Sequence, residues 1–493
     1  MPYTITSNDR SLRLLLALSL FYLGWLTPSI TRAEGGTDAE RLERLERAVD
    51  LLQKRNAELE REVKSLKKEK SSTSAPAAAP LAAEKRSQFV PDPKAAVVEK
   101  AEVKEEKKPV YVVAGTSEIK LTLGGLLQTQ YEAGDVFAFE GRFGSGAIDD
   151  RFRLRRARIQ VTGEFAEQFD FKLEGEFAQS DVTLTVRDAT GRTLASNSTR
   201  TAFGGLDLWA NWHQFPELQI KVGQYKAPFG LEQISPDPKL FTAERSQVTS
   251  ALTPERQVGV QLWGKPFAHV LPEHKDLLTY WAGMFNGNGR NNTINDNDEY
   301  MYAARLESQL WKGKIADQDF WVKLGGNALH SRDESGTVLS PAGTLRVNGD
   351  GSLSTFTAAS AAEREGYGVD ASLHWGPFDL IAEYLSESYD GRTVNGVAPA
   401  FRDFRAEGYY VLGSYFILPK KLQLVTKFEH FNPGQILDDN LDSMTGGLNY
   451  YIHGDDVKLM ANYIRTWSSF RDARPALGSS EFDEVLLRLQ IVF

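Results

Sequence analysis

The 493-residue chain has no cysteine, which excludes disulfides, thiolate metal sites and a cysteine nucleophile. Its formal net charge of −9 at pH 7 leaves no surplus of basic residues for binding nucleic acid. Beyond residue 33 there is no apolar run of about eighteen residues, the length that a membrane-spanning helix requires. A chain without such a run can still cross a membrane, but only as a closed β-barrel.

The one long apolar run lies near the start of the chain, at residues 14–26, behind Arg10 and Arg13. It is short for a membrane span and is followed by a candidate cleavage site at 31–33, which is the order of features in a secretory signal peptide. We therefore predict that residues 1–33 are a signal peptide that is removed. An uncleaved membrane anchor is the alternative.

Residues 38–70 are predicted to form an α-helical coiled coil. Leucine or valine recurs at the core positions of four heptads, with one asparagine, Asn56, and oppositely charged residues flank them. Valine, leucine and a single core asparagine favour two strands. Residues 71–109 are rich in Ala, Pro, Lys and Glu and almost free of aromatics, so we predict a flexible linker between the coil and the rest of the chain.

From residue 110 to the end, apolar and polar residues alternate in segments of about ten residues. Around Arg158, for example, Ala157, Ile159 and Val161 alternate with charged and amide residues. Strands of this length, apolar on one face and polar on the other, are typical of a barrel that spans a bilayer. We predict about sixteen of them, an even number as bacterial barrels require. Their approximate bounds are 118–131, 151–165, 169–178, 205–214, 218–226, 255–264, 276–285, 300–311, 319–330, 365–375, 378–388, 404–417, 421–431, 442–452, 457–467 and 482–493.

The connections between these strands alternate between short turns and long polar segments. Gly376-Pro377 and Gly454-Asp455 are examples of the short turns, although 265–275 and 312–318 are longer than the others. Short turns on one rim and long loops on the other are typical of outer-membrane barrels. The long segments are 132–150, 179–204, 286–299, 331–364 and 388–403.

The last predicted strand runs to the end of the chain. Val485, Leu487 and Leu489 form its apolar row, and the chain ends on Phe493. A soluble domain rarely ends inside a full-length strand, whereas a closed barrel requires its last strand to pair with its first. Aromatic residues also gather near the strand ends, as in the girdles at membrane interfaces. The pattern therefore predicts an all-β transmembrane antiparallel barrel over residues 110–493, preceded by the coiled coil.

Four segments of the barrel region resemble the phosphate-selective porin O and P family of bacterial outer membranes. Two of them are Val222–Gly230 with Glu232 and the stretch 240–245, and the most specific motifs are 223–230 and 243–246. The others are 154–158 and 254–260, together with the terminal Phe493. The resemblance implies a trimer of sixteen-stranded barrels in which residues 227–254 form an inward constriction loop.

The resemblance also implies that basic residues in the lumen attract and bind anions. Pore-lining cations ring a narrow channel and replace part of an anion's hydration, and arginine suits phosphate oxygens. Alternation places some of the candidates on the inner face, and the matching motifs add three near the constriction. The alternation-based candidates are Arg156, Arg158, Lys221, Arg305 and Lys323, and the motif-based ones are Lys226, Arg245 and Arg256.

The same inner face also carries many acidic residues, including Glu174, Asp370 and Glu383. For each candidate cation, an ordinary salt bridge to a neighbouring carboxylate is therefore the alternative to a solute site. A mixed lumen favours general diffusion of small hydrophilic solutes, with a weak anion preference, over strict phosphate selectivity.

No arrangement of residues suggests an enzyme, a cofactor site or a metal site. None of the seven histidines shows zinc-ligand spacing, and no Ser/His/Asp set can be placed. The stretch 295–299 carries clustered oxygens that could hold calcium, but it lacks the glycine spacing of a dedicated calcium loop.

We thus expect an outer-membrane porin, with its coiled coil in the periplasm. Its expected partners are outer-membrane lipid, small solutes or anions, and further copies of the chain. The family implies a trimer, whereas the heptads favour a dimer. The competing hypothesis is an envelope tether, in which the coiled coil binds the cell wall and the barrel serves only as the anchor.

Overall fold

The computed structural model describes the barrel region with a few gaps in its loops. The described residues are 110–114, 117–135, 150–178, 181–187, 193–200, 203–292, 295, 297–333, 345–347, 353–355, 360–394, 403–434, 437–475 and 479–493. The predicted signal peptide at 1–33, coiled coil at 38–70 and linker at 71–109 lie outside them. Within the described ranges, no helix has the length and apolar character needed to cross a membrane.

Strands dominate the described chain, and only short helical segments interrupt them. In order the strands are β1 (Val110–Ala114), β2 (Ser117–Gly134), β3 (Arg151–Phe165), β4 (Phe169–Glu176), β5 (Asp181–Arg187), β6 (Thr193–Arg200), β7 (Gly204–Phe215), β8 (Leu218–Lys226), β9 (Arg256–Gly264), β10 (Thr279–Phe285), β11 (Met301–Ile315), β12 (Gln318–Asp333), β13 (Leu345–Val347), β14 (Leu353–Thr355), β15 (Ser360–Trp375), β16 (Phe378–Val394), β17 (Phe404–Leu418), β18 (Leu422–Asn432), β19 (Leu441–His453), β20 (Val457–Ser468) and β21 (Glu481–Val492). The helices are Leu231–Ile234, Gln247–Leu252 and Ser469–Asp472, with 3₁₀ turns at Asp237–Lys239 and Pro272–His274.

Sixteen of these strands form one closed antiparallel barrel, which confirms the predicted strand number. Each barrel strand pairs with the next in the chain, and β2 closes the ring by pairing with β21. At the seam the backbone N–H of Phe493 donates to the carbonyl of Gly125 at 3.1 Å, and the N–H of Gly125 donates back at 2.9 Å. Because all sixteen strands have two partners, the barrel has no open edge.

The inner and outer faces of the barrel have opposite character. On β19, Leu448 is 45% exposed on the outer face, whereas its neighbour Asn449 is fully buried inside. On β21, Leu487 is 46% exposed and the adjacent Arg488 is 2% exposed. Apolar side chains outside and polar side chains inside are the arrangement that a bilayer stabilises.

The two rims differ in the way the sequence predicts, with three corrections. The turn predicted at 312–318 is wrong, because β11 continues to Ile315 and only Ala316 and Asp317 form the turn. The long segments 179–204 and 331–364 contain the hairpins β5–β6 and β13–β14, which the sequence did not reveal. Flanking strands also extend into three predicted loops: β12 and β15 into 331–364, β16 to Val394 into 388–403, and β2 to Gly134 into 132–150. We call the two ends of the barrel the short-turn rim and the long-loop rim.

The segment between β8 and β9, residues 227–254, folds back against the inner wall of the barrel, and we call it the inner loop. Its helix Gln247–Leu252 begins at Ser246, whose Oγ accepts the N–H of Thr249 at 3.0 Å. The helix buries Val248 and Leu252 completely in an apolar cluster with side chains of the surrounding strands. The inner loop is therefore part of the packed interior.

Glycines on the facing strands make room for the inner loop. A Cβ at Gly408 on β17 would lie 2.7 Å from the side chain of Val248, and one at Gly366 on β15 would lie 3.0 Å from the ring of Phe229. Contacts this close leave no space for a larger residue. The wall sequence thus matches the loop that packs on it.

Candidate functional site

Five arginines of β3 lie on the inner face of the barrel. They are Arg151, Arg153, Arg155, Arg156 and Arg158, and we call them the arginine row. Simple alternation cannot place neighbouring residues on one face, but the pairing of β2 with β3 shifts register next to Arg155. A bulge of this kind inserts one extra residue and reverses the phase of the strand.

The outward residues of β3 confirm the change of phase. Before the bulge Phe152 and Leu154 point outward and are 87% and 42% exposed, and after it Ile159 is outward. The outward-facing apolar residues are therefore even-numbered before the bulge and odd-numbered after it. Arg156 and Arg158 lie inward, as the sequence predicts, and the bulge adds three arginines that the sequence analysis missed.

The deeper part of the arginine row is bound to an aspartate of the inner loop. Asp237 lies 3.4 Å from Nη2 of Arg156 and 2.6 Å from Nη1 of Arg245, and it also accepts a short hydrogen bond from Arg158. The aspartate side chain is only 4% exposed. This cluster brings together three of the eight predicted site residues, but around a carboxylate of the protein itself.

A second carboxylate of the inner loop, Glu244, holds two further arginines. Arg155 donates two hydrogen bonds to it, from Nε at 2.7 Å and from Nη2 at 2.9 Å, which is the planar bidentate geometry that arginine forms with carboxylates. Arg488 of β21 also binds this carboxylate, through Oε1. Asp237 and Glu244 together fasten the inner loop to β3 and β21.

Both loop carboxylates remain ionised because of these arginines. Burial by itself raises the pKa of Asp237, but Arg156, Arg245 and Arg158 outweigh it and hold that pKa well below its usual range. The pKa of Glu244 is likewise lowered, since Arg155 and Arg488 outweigh the effect of burial. The attachment of the loop is therefore ionic at neutral pH.

The long-loop end of the arginine row stays in contact with water. Arg151 and Arg153 share the carboxylate of Glu132, at 2.6 and 3.3 Å. The side chains of Arg151, Arg153 and Arg155 are 21%, 22% and 26% exposed, whereas Arg156 is 5% exposed. A solute that enters from the long-loop rim meets these three cations first.

Three other predicted site residues form ion pairs along the inner wall. Arg305 lies 2.6 Å from Asp370, and Lys323 lies 2.8 Å from Glu307, which also contacts Arg305 at 3.4 Å. Arg256 lies 2.6 Å from Asp207. For these residues the structure shows the salt bridge that the sequence analysis gave as the alternative.

The two remaining lysines, both on β8, differ from this pattern. Nζ of Lys226 donates to the carbonyl oxygens of Gln233 at 2.7 Å and Ser235 at 3.0 Å, so it fixes the start of the inner loop. Lys221 instead lies among aromatic rings, with Trp209 at 4.4 Å from Nζ. Among the described residues it has no carboxylate within ion-pair distance.

The oxygen-rich segment 295–299 uses side-chain oxygens internally where it is described. Oδ1 of Asn295 accepts the N–H of Asn297, and Oδ1 of Asn297 accepts the N–H of Glu299. Three further side chains lie close enough together to share an ion: His330, Glu363 and Glu365. The two glutamates are exposed, and exposed acidic groups are often close together without a bound ion.

Comparison with known proteins places the chain among bacterial porins. The sequence model described as phosphate-selective porin O and P matches residues 127–493, which include the arginine row and the inner loop. Among proteins of curated function, none matches the chain.

Several solved structures are similar in fold. OmpT of Vibrio cholerae shares 12% identity, with 78% of this chain and 100% of that chain covered and a TM-score of 0.44. The outer-membrane channel DcaP of Acinetobacter baumannii shares 12%, with 76% and 97% covered and a TM-score of 0.46. OmpF of Salmonella typhi in complex with daunomycin shares 13%, with 76% and 98% covered and a TM-score of 0.46.

Proposed function

Because the chain belongs to the phosphate-selective porin O and P family, we propose that it forms an outer-membrane channel for passive diffusion of small hydrophilic solutes, with a weak preference for anions. The arginine row carries this proposal, since three of its members stay water-accessible at the long-loop mouth. Cations at a pore mouth raise the local concentration of anions. Solutes then move down their own gradient.

The preference for anions is weak because most lumen cations already have partners within the chain. Arg156, Arg158 and Arg245 surround Asp237 rather than an open space. A phosphate ion would have to displace that buried carboxylate before it could bind the same guanidinium groups. The described geometry therefore supports general diffusion better than selective phosphate uptake.

Recording from the purified full chain in planar bilayers tests this proposal. With a potassium chloride gradient across the membrane, we expect stepwise conductance and a reversal potential that indicates a modest preference for chloride. Millimolar phosphate should reduce the chloride current only slightly. A preference for potassium would contradict the anion preference, and the absence of steps would contradict the channel.

The oligomer that we propose is a trimer, on the strength of the family resemblance. Cross-linking in detergent should yield a trimeric band, and a dimer would contradict the proposal and favour the heptad-based prediction. A chain without residues 38–70 should conduct as the full chain does, because the lumen residues described above all lie beyond residue 110. Loss of wall association alone in that variant would show that the tether role exists beside the channel.

A further inference from the structure

One inward-facing lysine has no anionic partner among the described residues. Lys221 lies on β8 between Asn211 of β7 and Gln261 of β9, which are its register partners. The nearest carboxylates are committed elsewhere: Asp207 binds Arg256, and Asp170 accepts from Asn211 at 2.8 Å. Within the part of the chain that the structure describes, Nζ of Lys221 also has no hydrogen-bond acceptor.

Three aromatic rings surround this ammonium group. The centroids of Trp209, Tyr225 and Trp263 lie 4.4, 5.4 and 5.8 Å from Nζ of Lys221. A lysine within about 6 Å of an aromatic face is attracted to it, which holds the ammonium in place without neutralising its charge. The rings therefore hold the ammonium next to apolar surface, with no carboxylate of the described residues in ion-pair contact.

The rings are held rigidly. Nε1 of Trp263 donates to Oδ1 of Asn211 at 2.9 Å, and the hydroxyl of Tyr225 donates to the carbonyl of Lys221 at 3.2 Å. Tyr225 also packs edge-on against Phe285, with ring centroids 5.6 Å apart. A preorganised site loses little conformational entropy when a ligand binds.

The chemistry of the cluster favours one class of ligand. A single ammonium, with its register partner Gln261 on the adjacent strand, matches one carboxylate group rather than a doubly charged phosphate. The faces of Trp209 and Trp263 carry negative quadrupole density and repel a compact hydrated anion, but they stack well on a flat ring. The ligand should therefore combine one negative charge with a flat apolar body.

We propose that Lys221, Trp209 and Trp263 form a subsite on the lumen wall for aromatic monocarboxylates. The subsite rests on the proposed channel function, and it names a class of solute that the channel would favour. It lies on β7–β9, towards the short-turn rim and away from the arginine row. An anion that passes the inner loop would meet it before it leaves the barrel.

Current recordings from the full-chain channel, with benzoate and with acetate, test the subsite. Benzoate should reduce the potassium chloride current at about tenfold lower concentration than acetate, because both its charge and its ring are recognised. Lys221→Gln should remove the advantage of benzoate. Trp209→Leu should weaken the effect of benzoate but not that of acetate, and Trp209→Phe should restore most of it.

Lys120→Gln is the matched control. It removes the same charge near the same rim, but Lys120 is paired with Glu164 at 3.3 Å, so the response to benzoate should not change. Equal effects of benzoate and acetate on the native channel would overturn the subsite. An advantage that survives Lys221→Gln would overturn it as well.

A binding titration in detergent does not depend on conductance, so it tests the subsite separately from the channel. Benzoate should quench the tryptophan fluorescence of the folded protein in detergent, and Lys221→Gln should shift the titration to about tenfold higher concentration. Quenching that is equal in both proteins would overturn the subsite even if the channel conducts. Quenching with the expected shift, but no conductance in bilayers, would overturn the channel and leave the binding site.

Discussion

Replacing Asp237 by asparagine should release the inner loop from the barrel wall and increase single-channel conductance. The carboxylate is buried and faces Arg156, Arg158 and Arg245. Removing one partner of a buried charge cluster costs about 3–5 kcal/mol, which changes the ratio of attached to released loop by roughly 10²–10⁴-fold. The chloride preference should rise too, because three cations lose their counter-charge.

In the native protein, the attachment of the inner loop to the barrel wall should weaken only as the pH falls. A carboxyl with a lowered pKa stabilises the folded state at every pH above its unfolded value, about 3.9, and this contribution is lost only as the pH falls through the lowered value. For Asp237 that value is well below the usual range. Conductance should therefore stay constant from neutral pH to about pH 4 and rise only in stronger acid.

Single-channel recording from Asp237→Asn measures both effects. Asp438→Asn is the matched control, because Asp438 is an exposed residue in the connection between β18 and β19. The control should keep native conductance. An Asp237→Asn channel with native conductance and native selectivity would show that the aspartate does not hold the loop.

The second large effect is expected from Arg305→Leu, which should destabilise the barrel rather than alter its selectivity. The side chain of Arg305 is completely buried and binds Asp370 through two hydrogen bonds of 2.6 and 2.9 Å. The pair lies directly over Gly325, where a Cβ would come within 2.5 Å of both side chains. Leaving Asp370 buried without its partner should cost about 3–5 kcal/mol.

Denaturant titrations of folding into lipid vesicles measure this loss. The double variant Arg305→Leu/Asp370→Leu should recover much of the stability, since no lone buried charge remains. Lys120→Gln breaks an exposed pair, with side chains 43% and 61% exposed, and should cost less than about 1 kcal/mol. Native stability of Arg305→Leu with altered ion selectivity would instead identify Arg305 as an anion site.

The barrel could be predicted from the sequence because its signals are local. Period-two alternation and turn residues define each strand separately, and all sixteen predicted strands occur. The predicted closing contact is confirmed by the pairing of β2 with β21. Where the strands extend beyond the predicted bounds, as in β11 up to Ile315, the alternation alone did not mark the end.

The partners of the basic residues could not be predicted, because they come from distant parts of the chain. Arg156 and Asp237 are close only because the inner loop crosses to β3. The bulge at Arg155 did leave a signal in the sequence, since apolar residues change from even numbers at Leu154 to odd numbers at Ala157. That change of phase would have placed all five arginines inside.

The aromatic cluster around Lys221 was missed for a related reason. Its rings come from three strands, and their meeting depends on the exact register of β7, β8 and β9. Alternation predicts that Lys221 faces the lumen, but it does not reveal that the neighbours of this lysine are rings rather than carboxylates. Register between strands, more than strand position, decides the chemistry of such a wall.

Cysteine labelling on either side of the β3 wall tests the central claim most directly, namely that arginines line a water-filled lumen while apolar residues face lipid. The native chain has no cysteine, so a single introduced thiol is the only one to react. A negatively charged, water-soluble thiol reagent added during recording should change the current and lower the chloride preference of Arg153→Cys. The same reagent should leave the current through the adjacent Leu154→Cys unchanged, and the opposite pattern, or an equal response of both, would contradict the account.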